Sequence, residues 1–270
     1  MEGPTGSPPG IDLSLPSVSR MHDFYLGGSH NFEADRAAAR HAMAAFPALP
    51  KLAQANRAFM RRAVRYALAE GVTQFLDIGS GITAHGTVHE AARATCPDAR
   101  VLYVDHDPVA VAHSRELVAD DDRTAVIAAD IRDPGAILAS PEARRLIHPD
   151  RPTALLLVGL LHFLPDTDRP GEKVAELRDA LAPGSLLVLS HATTEAGHAT
   201  HEEGARLSEV YGRGGMSFVL RGRRATARFF DGFELVEPGL VPPPAWRPDG
   251  PADEDDLIVC AGFAGVGRKA

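Results

Sequence analysis

The sequence of 270 residues is 44% apolar and 24% charged and carries a formal charge of −8. Those proportions exclude global disorder, collagen and a disulfide-stapled scaffold, and a chain of this length can build a large core. The net acidity argues against nucleic acid or anionic membrane as a partner, because either polyanion would repel it.

Residues 1–15 are rich in proline, glycine and serine and read as a flexible tail, with neither the basic start nor the apolar stretch of a signal peptide. Residues 16–270 read as one domain, of which 16–72 form a helical extension. A helical pattern runs from Phe32 to Phe46 and is closed by Pro47 and Pro50. The next helix is expected from Asn56, as N-cap, to Gly71, with Phe59, Met60, Ala63, Val64, Ala67 and Leu68 as its apolar stripe.

From there short apolar runs alternate with helices. Strands are expected at Gln74 to Ile78, Val101 to Val104, Ala125 to Ala129, Leu155 to Leu160 and Leu186 to Leu189. Helices are expected at Thr87 to Thr95, after the cap Asp107 and Pro108, and at Gly171 to Leu181. After Ser190 a helix over Glu202 to Tyr211 precedes two more strands, Phe233 to Val236 and Leu257 to Ala261. The alternation predicts an α/β fold, a doubly wound sheet covered on both faces. The longest apolar run, Ala154 to Leu161, is far shorter than the roughly 20 residues of a membrane span. Two cysteines, Cys96 and Cys260, supply neither a disulfide framework nor a cysteine zinc site. They suggest a reducing, cytoplasmic setting. Lys51, Lys173 and Lys269 are the only lysines, a bias that with abundant alanine suggests a high-GC bacterial genome.

The sharpest motif is the loop after the first strand, Asp77-Ile78-Gly79-Ser80-Gly81-Ile82-Thr83-Ala84. Its glycines let the backbone approach a ligand closely, and Gly79, Gly81 and Ala84 fit a dinucleotide fingerprint loosely. Asp77 weighs against that ligand, because it would face a pyrophosphate with like charge and suits an ammonium group instead. Asp105 closes the second strand, where its two oxygens can accept both hydroxyls of a ribose. Asp130 closes the third. All three carboxylates are expected at one crevice of the sheet, although strand-end aspartates also serve as solvated turn formers.

Asp77-x-Gly79-x-Gly81 resembles the first motif of class I S-adenosylmethionine-dependent methyltransferases. The stretch Pro16-Ser17-Val18-Ser19-Arg20-Met21-His22-Asp23-Phe24-Tyr25-Leu26-Gly27-Gly28-Ser29-His30-Asn31-Phe32 is more specific. It resembles the N-terminal signature of a bacterial, actinobacterial-type family of methyltransferases once catalogued as a domain of unknown function. Ala55-Asn56-Arg57-Ala58-Phe59, Val104-Asp105-His106-Asp107-Pro108, Ala129 to Pro134 and Leu161-His162-Phe163-Leu164-Pro165-Asp166 match it too. The resemblance covers about residues 16–263.

It implies a Rossmann-like, seven-stranded sheet with an antiparallel last strand, and S-adenosylmethionine as cofactor. It implies cofactor contacts from Asp77, Gly79, Ser80 and Gly81, from Asp105 and His106, and from Asp130, Ile131 and Gly159. The segment around Gly27-Gly28 is expected to fold over the crevice as a lid. In that reading Arg20 pairs with the methionine carboxylate and Tyr25 or Asn31 touches the ligand; the alternative is a surface turn.

Methyl transfer to an oxygen or nitrogen benefits from a general base. Val158-Gly159-Leu160-Leu161-His162 stands where enzymes that methylate nucleic-acid or protein amino groups carry an Asn-Pro-Pro-Tyr-type motif, which lowers the reading of a nucleic-acid base as acceptor; a small-molecule acceptor is expected. His162 and His191 are the base candidates, and each could equally be a hydrogen-bonded packing histidine. The histidines of residues 191–201 lack the fixed spacing of a metal site, and His85 and His89, although spaced i, i+4, have no third ligand in sight, so no metal is expected. Six arginines from Arg206 to Arg228 suggest either a patch for an acidic acceptor or a solvated, carboxylate-paired face, with Tyr211, Met216 and Phe218 as a pocket wall. Two rival functions stay open: a regulator that binds S-adenosylmethionine or S-adenosylhomocysteine without catalysis, and an NAD-dependent oxidoreductase.

Overall fold

In the computed structural model, which describes residues 12–82, 86–197, 199–251 and 260–270, seven strands share one sheet. They are β1 (Gln74–Ile78), β2 (Arg100–Asp105), β3 (Thr124–Ala128), β4 (Thr153–Val158), β5 (Leu186–Ala192), β6 (Phe233–Leu235) and β7 (Gly262–Lys269). Their order is β3-β2-β1-β4-β5-β7-β6. The first five are parallel, and β7 runs antiparallel between β5 and β6. This is the class I, Rossmann-like arrangement.

Period-two alternation fills both faces. Leu155 and Leu157 pack with Leu76, Leu102, Leu187, Val174 and Leu177 on one side. Ala154 and Leu156 pack with Phe75, Val101, Phe59, Val64 and Val111 on the other. The helices that cover the sheet are α3 (Leu49–Ala69), α4 (Val88–Arg93), α5 (Pro108–Leu117), α6 (Pro134–Ala139), α7 (Pro141–Leu146) and α8 (Pro170–Asp179). Asp107 caps α5 as expected, accepting from the amides of Val109 and Ala110 at 2.8 and 3.0 Å.

The N-terminal extension builds a third apolar cluster. Helices α1 (Val18–Tyr25) and α2 (Glu33–Ala45) pack there against α9 (His201–Arg213), through Met21, Tyr25, Ala39, Ala42, Leu207 and Tyr211. Asn31 holds the turn between α1 and α2, donating to Asp23 at 2.7 Å and to the Gly28 carbonyl at 2.9 Å. A Cβ on Gly28 would sit 2.0 Å from the Asp23 carboxylate, so the turn needs a glycine there.

Several boundaries differ from expectation, among them β4, which runs Thr153–Val158 and leaves Gly159 and Leu160 beyond its end. α3 begins at Leu49, because Pro50 is tolerated in a first helical turn; Asn56 is therefore inside the helix and caps nothing. β5 extends to Ala192, which puts His191 within the strand. The strand expected at 257–261 falls largely outside the described residues; Cys260 and Ala261 are not in a strand, and the antiparallel strand is Gly262–Lys269. Among the described residues no helix is long and apolar enough to cross a membrane.

Candidate active site

The strand order reverses between β1 and β4, and a cavity opens at the carboxyl ends of the strands there. Its internal volume is about 230 Å³. One water needs only about 10–15 Å³ of such space, so the cavity is ligand-sized.

The glycine loop forms one wall. Gly79 and Gly81 have φ of +73° and +64°, values that favour glycine. Asp105 organises the loop: one carboxylate oxygen accepts from the Gly81 amide at 2.7 Å, the other from the Asp107 amide at 2.8 Å. Burial raises its carboxyl above the ordinary range. His106 is exposed at the rim, its Nδ1 3.8 Å from the Asp105 carboxylate. Asp77, on the central strand, is pushed up to about 7, chiefly by burial; Arg57 works against that shift and Asp105 adds to it.

α1 closes the cavity from above. Ser19 Oγ donates to Asp105 at 3.3 Å, and the hydroxyls of Tyr25 and Tyr211 lie 3.1 Å apart. Val18, Ser19, His22 and Tyr25 all line the space. Asn56 and Arg57 reach it from α3. Asn56 Oδ1 and Ser80 Oγ are buried in this wall with no hydrogen-bond partner among the described residues.

Ten of the fourteen residues that the sequence singled out line this one space: Tyr25, Asp77, Gly79, Ser80, Gly81, Asp105, His106, Gly159, His162 and His191. Four do not. Arg20 is buried, with Nε 3.3 Å from Asp35 and 3.6 Å from Asp107, and Nη2 donates to the Leu15 carbonyl. Asn31 is spent on its turn. Asp130 is paired with Arg132 at 2.8 Å, and Ile131 is in the core.

The two histidines differ in what they leave free. His191 Nε2 accepts from Arg221 at 3.0 Å, which leaves Nδ1 protonated to donate to the Ala192 carbonyl at 2.8 Å. Burial, with the Arg221 charge, pushes it down to about 4. It has no ring nitrogen left for an acceptor's proton. His162 Nδ1 accepts from the Ala192 amide at 3.4 Å, so its Nε2 carries the proton in the neutral ring. Burial holds it well below its ordinary value, helped by His191 and Arg221.

Arg221 is a buried brace. It also donates to the carbonyls of Leu161 and Leu164, both at 2.9 Å, and to Asp166 at 2.6 Å. The other arginines of the run are spread: Arg206 and Arg213 pair with Glu202 and Glu209, and Arg223 lies over the Phe263 ring. They form no single patch. Tyr211 and Phe218 do line the cavity, while Met216 packs beneath in the third cluster. His89 is bonded to Tyr103 and Thr87; His85 lies outside the described residues.

His22, Asn56 and Arg57 were missed as site residues. The signal was present. Asn56 and Arg57 fall at i, i+3/i+4 spacing between Ala53 and Met60, polar groups on the buried face of α3.

A glycine loop after β1, a diol-sized carboxylate at the end of β2 and this strand order define a class I methyltransferase. The model of the S-adenosyl methyltransferase family matches residues 4–270, and the chain belongs to that family. Its cofactor is S-adenosylmethionine. A candidate methyltransferase from Thermobifida fusca shares 42% identity, with a TM-score of 0.89 over 97% of this chain and 98% of its own. A DUF574-family protein from Streptomyces avermitilis shares 37% identity, with a TM-score of 0.91 over 96% of this chain and 99% of its own. No curated protein matches. The family is one of methyltransferases, so the dinucleotide reading of the glycine loop falls away.

Proposed function

We propose that the protein catalyses methyl transfer from S-adenosylmethionine to a small-molecule acceptor. The continuity of the cavity carries this reading: one space touches the glycine loop and Asp105 at one end and Phe163, Tyr211 and Phe218 at the other. A regulator that only sensed the cofactor needs the first end alone.

The residues present fit the cofactor. Asp105 offers two oxygens to a ribose diol, and the orphaned Ser80 Oγ and Asn56 Oδ1 are buried polar atoms in want of a partner. Arg57 supplies a guanidinium for a carboxylate, a role the sequence had suggested for Arg20, and Asp77 faces it as the counterpart of an ammonium group. When bound, S-adenosylmethionine supplies a methyl group activated on a sulfonium.

The chain's own part is alignment and exclusion of water. Residues 16–72 form the lid and scaffold, with α1 holding both ends of the cavity. His162 donates from Nε2 toward the acceptor, and Arg221 fixes His191 in one tautomer as a wall. The acidic surface supports an acceptor other than nucleic acid or membrane, and Cys96 and Cys260, which form no disulfide, suit the cytoplasm.

The test is calorimetry with S-adenosylmethionine and S-adenosylhomocysteine, followed by an assay for S-adenosylhomocysteine formed with fractions of a bacterial extract. Turnover with the small-molecule fraction is expected. Absence of binding refutes the cofactor site; turnover confined to protein or nucleic-acid fractions refutes the acceptor class.

A further inference from the structure

The two ends of the cavity differ in charge. Arg57, Asp77 and Asp105 stand at the cofactor end. At the other, Tyr211 and Phe218 stack with ring centroids 4.8 Å apart and planes 9° from parallel, and Phe163 meets each edge-on at 5.5 Å. His162 joins them, 5.2 Å from Phe218.

Among the described residues that end's wall holds one charged side chain, Glu203, at the exposed cap of α9. Its carboxylate accepts from the Thr200 amide and hydroxyl through one oxygen, both at 2.8 Å, and stays ionised. Arg221 is turned away into Asp166 and two carbonyls. The tyrosine hydroxyls are each other's partners, and burial raises both above their ordinary value, Tyr211 to about 12. A carboxylate or phosphate acceptor would find no cation here, and an ammonium only the Glu203 carboxylate at the exposed cap of α9; against the aromatic rings either would lose its hydration without replacement. A planar apolar ring finds aromatic faces and edges on several sides.

α1 spans both ends. Ser19 touches Asp105 and Tyr25 touches Tyr211, six residues or about 9 Å apart along the helix. His22 is three residues from each and lines the cavity between them, where an acceptor atom must meet the methyl group. Neither of its ring nitrogens is hydrogen-bonded to a described residue. Burial, and then the Arg57 charge, push it down to about 4, so the imidazole is neutral and able to accept.

We propose that this end of the cavity takes an uncharged aromatic compound bearing a hydroxyl group, and that His22 receives the hydroxyl proton during methylation. The inference rests on the methyltransferase reading above. The acceptor oxygen forms the new bond to the methyl carbon with a lone pair, and the carbon–sulfur bond breaks with its electrons left on sulfur. The hydroxyl proton passes to His22. Arg57 disfavours the imidazolium, so the proton moves on to water and the neutral ring returns.

Binding separates this idea from the cofactor reading. Calorimetry with S-adenosylhomocysteine alone tests the latter. The protein saturated with S-adenosylhomocysteine is then titrated near neutral pH with β-naphthol, naphthoate, naphthylmethylamine and naphthalene. β-Naphthol is expected to bind at least tenfold tighter than the charged analogues, and about tenfold tighter than naphthalene. His22→Phe is expected to erase the preference over naphthalene while S-adenosylhomocysteine affinity stays within threefold. Equal or tighter binding of naphthoate or the amine overturns the proposal. So does failure of all four probes while S-adenosylhomocysteine still binds. An unchanged preference in His22→Phe overturns the role of that residue. Should that variant not fold, His22→Gln is expected to keep the preference and lose methyl transfer to β-naphthol.

Discussion

Ser19 in the first turn of α1 donates its hydroxyl to Asp105 at the end of β2, 3.3 Å away and 86 positions along the chain. The contact ties the N-terminal extension to the strand end that the fold uses for its cofactor. It also makes the lid and the glycine loop share one carboxylate, since Asp105 accepts from Gly81 as well.

Asp105→Ala should therefore act on the loop and on the ligand together. It strips partners from the amides of Gly81 and Asp107, and each lost bond of this kind costs about 1.5–3 kcal/mol. Affinity for S-adenosylhomocysteine is expected to fall at least about tenfold, the equivalent of about 1.4 kcal/mol. Ser19→Ala should lower it less than about threefold, because the longer hydroxyl contact contributes only about 0.5–1.5 kcal/mol. Calorimetry on both variants checks the order, and a larger effect from Ser19→Ala would contradict it.

The roles of Arg20 and Arg57 separate in the same way. Arg57→Met is expected to weaken S-adenosylhomocysteine by one to two decades, about 1.4–2.8 kcal/mol, and to leave methylthioadenosine, which lacks the carboxylate, unchanged. Arg20→Met removes the cation between Asp35 and Asp107, both buried. Breaking such a pair costs about 3–5 kcal/mol of stability, which urea denaturation measures. A selective loss of S-adenosylhomocysteine binding in Arg20→Met, with stability intact, would restore Arg20 as the carboxylate's partner.

The fold was legible because each strand carried its own punctuation. Gln74–Ile78 begins and ends where the sequence implies, and Thr87, Asp107 and Pro108 mark helix starts by local chemistry. The last strand was misplaced because Gly262–Lys269 holds three glycines, of low β-propensity, and packs by contact with Phe230 and Phe233 instead. In the site, strand-end aspartates and glycines are visible as types, but their targets are not. Arg20 and Arg57 are both arginines in apolar-patterned segments; only the approach of Asp35 and Asp107 to α1 in the folded chain sets them apart, giving Arg20 two carboxylates while its Nη1 has no hydrogen bond to a described residue. Asp130 lies two residues past the end of β3 rather than closing it, and Arg132, two residues on, claims its carboxylate.

Gly79 and Gly81 predict different failures although both have positive φ. A Cβ on Gly79 would sit 2.6 Å from Leu160 Cδ1, whereas one on Gly81 meets nothing within 4 Å among the described residues. Gly79→Ala should lose about 1–3 kcal/mol of stability from backbone strain, with more from the clash. Adding Leu160→Ala is expected to recover only the clash. Gly81→Ala costs the backbone strain alone, but its methyl points into open space where the ligand has to lie. Thermal melts with and without S-adenosylhomocysteine separate the two. Ligand stabilisation should be lost in Gly81→Ala, and retention of it would place the cofactor elsewhere.

Asp77 gives the pH dependence. Its carboxyl is pushed up to about 7, mainly by burial, so at pH 6 the free protein holds it largely protonated. For a carboxyl raised in this way, the contribution to folding is present below the ordinary value of 3.8 and is lost as pH climbs through about 7. A bound ammonium favours the ionised form and draws the carboxyl back down. Binding of S-adenosylhomocysteine at pH 6 is therefore expected to release close to one proton. Affinity should rise with pH up to about 7, by at most about tenfold per unit or 1.4 kcal/mol, and then level off. The released proton is read by calorimetry in two buffers of different ionisation enthalpy. Asp77→Asn should bind more weakly above pH 7 and lose the pH dependence. Uptake of a proton, or a flat profile in the unmodified protein, would mean that the carboxylate does not face the cofactor's cation.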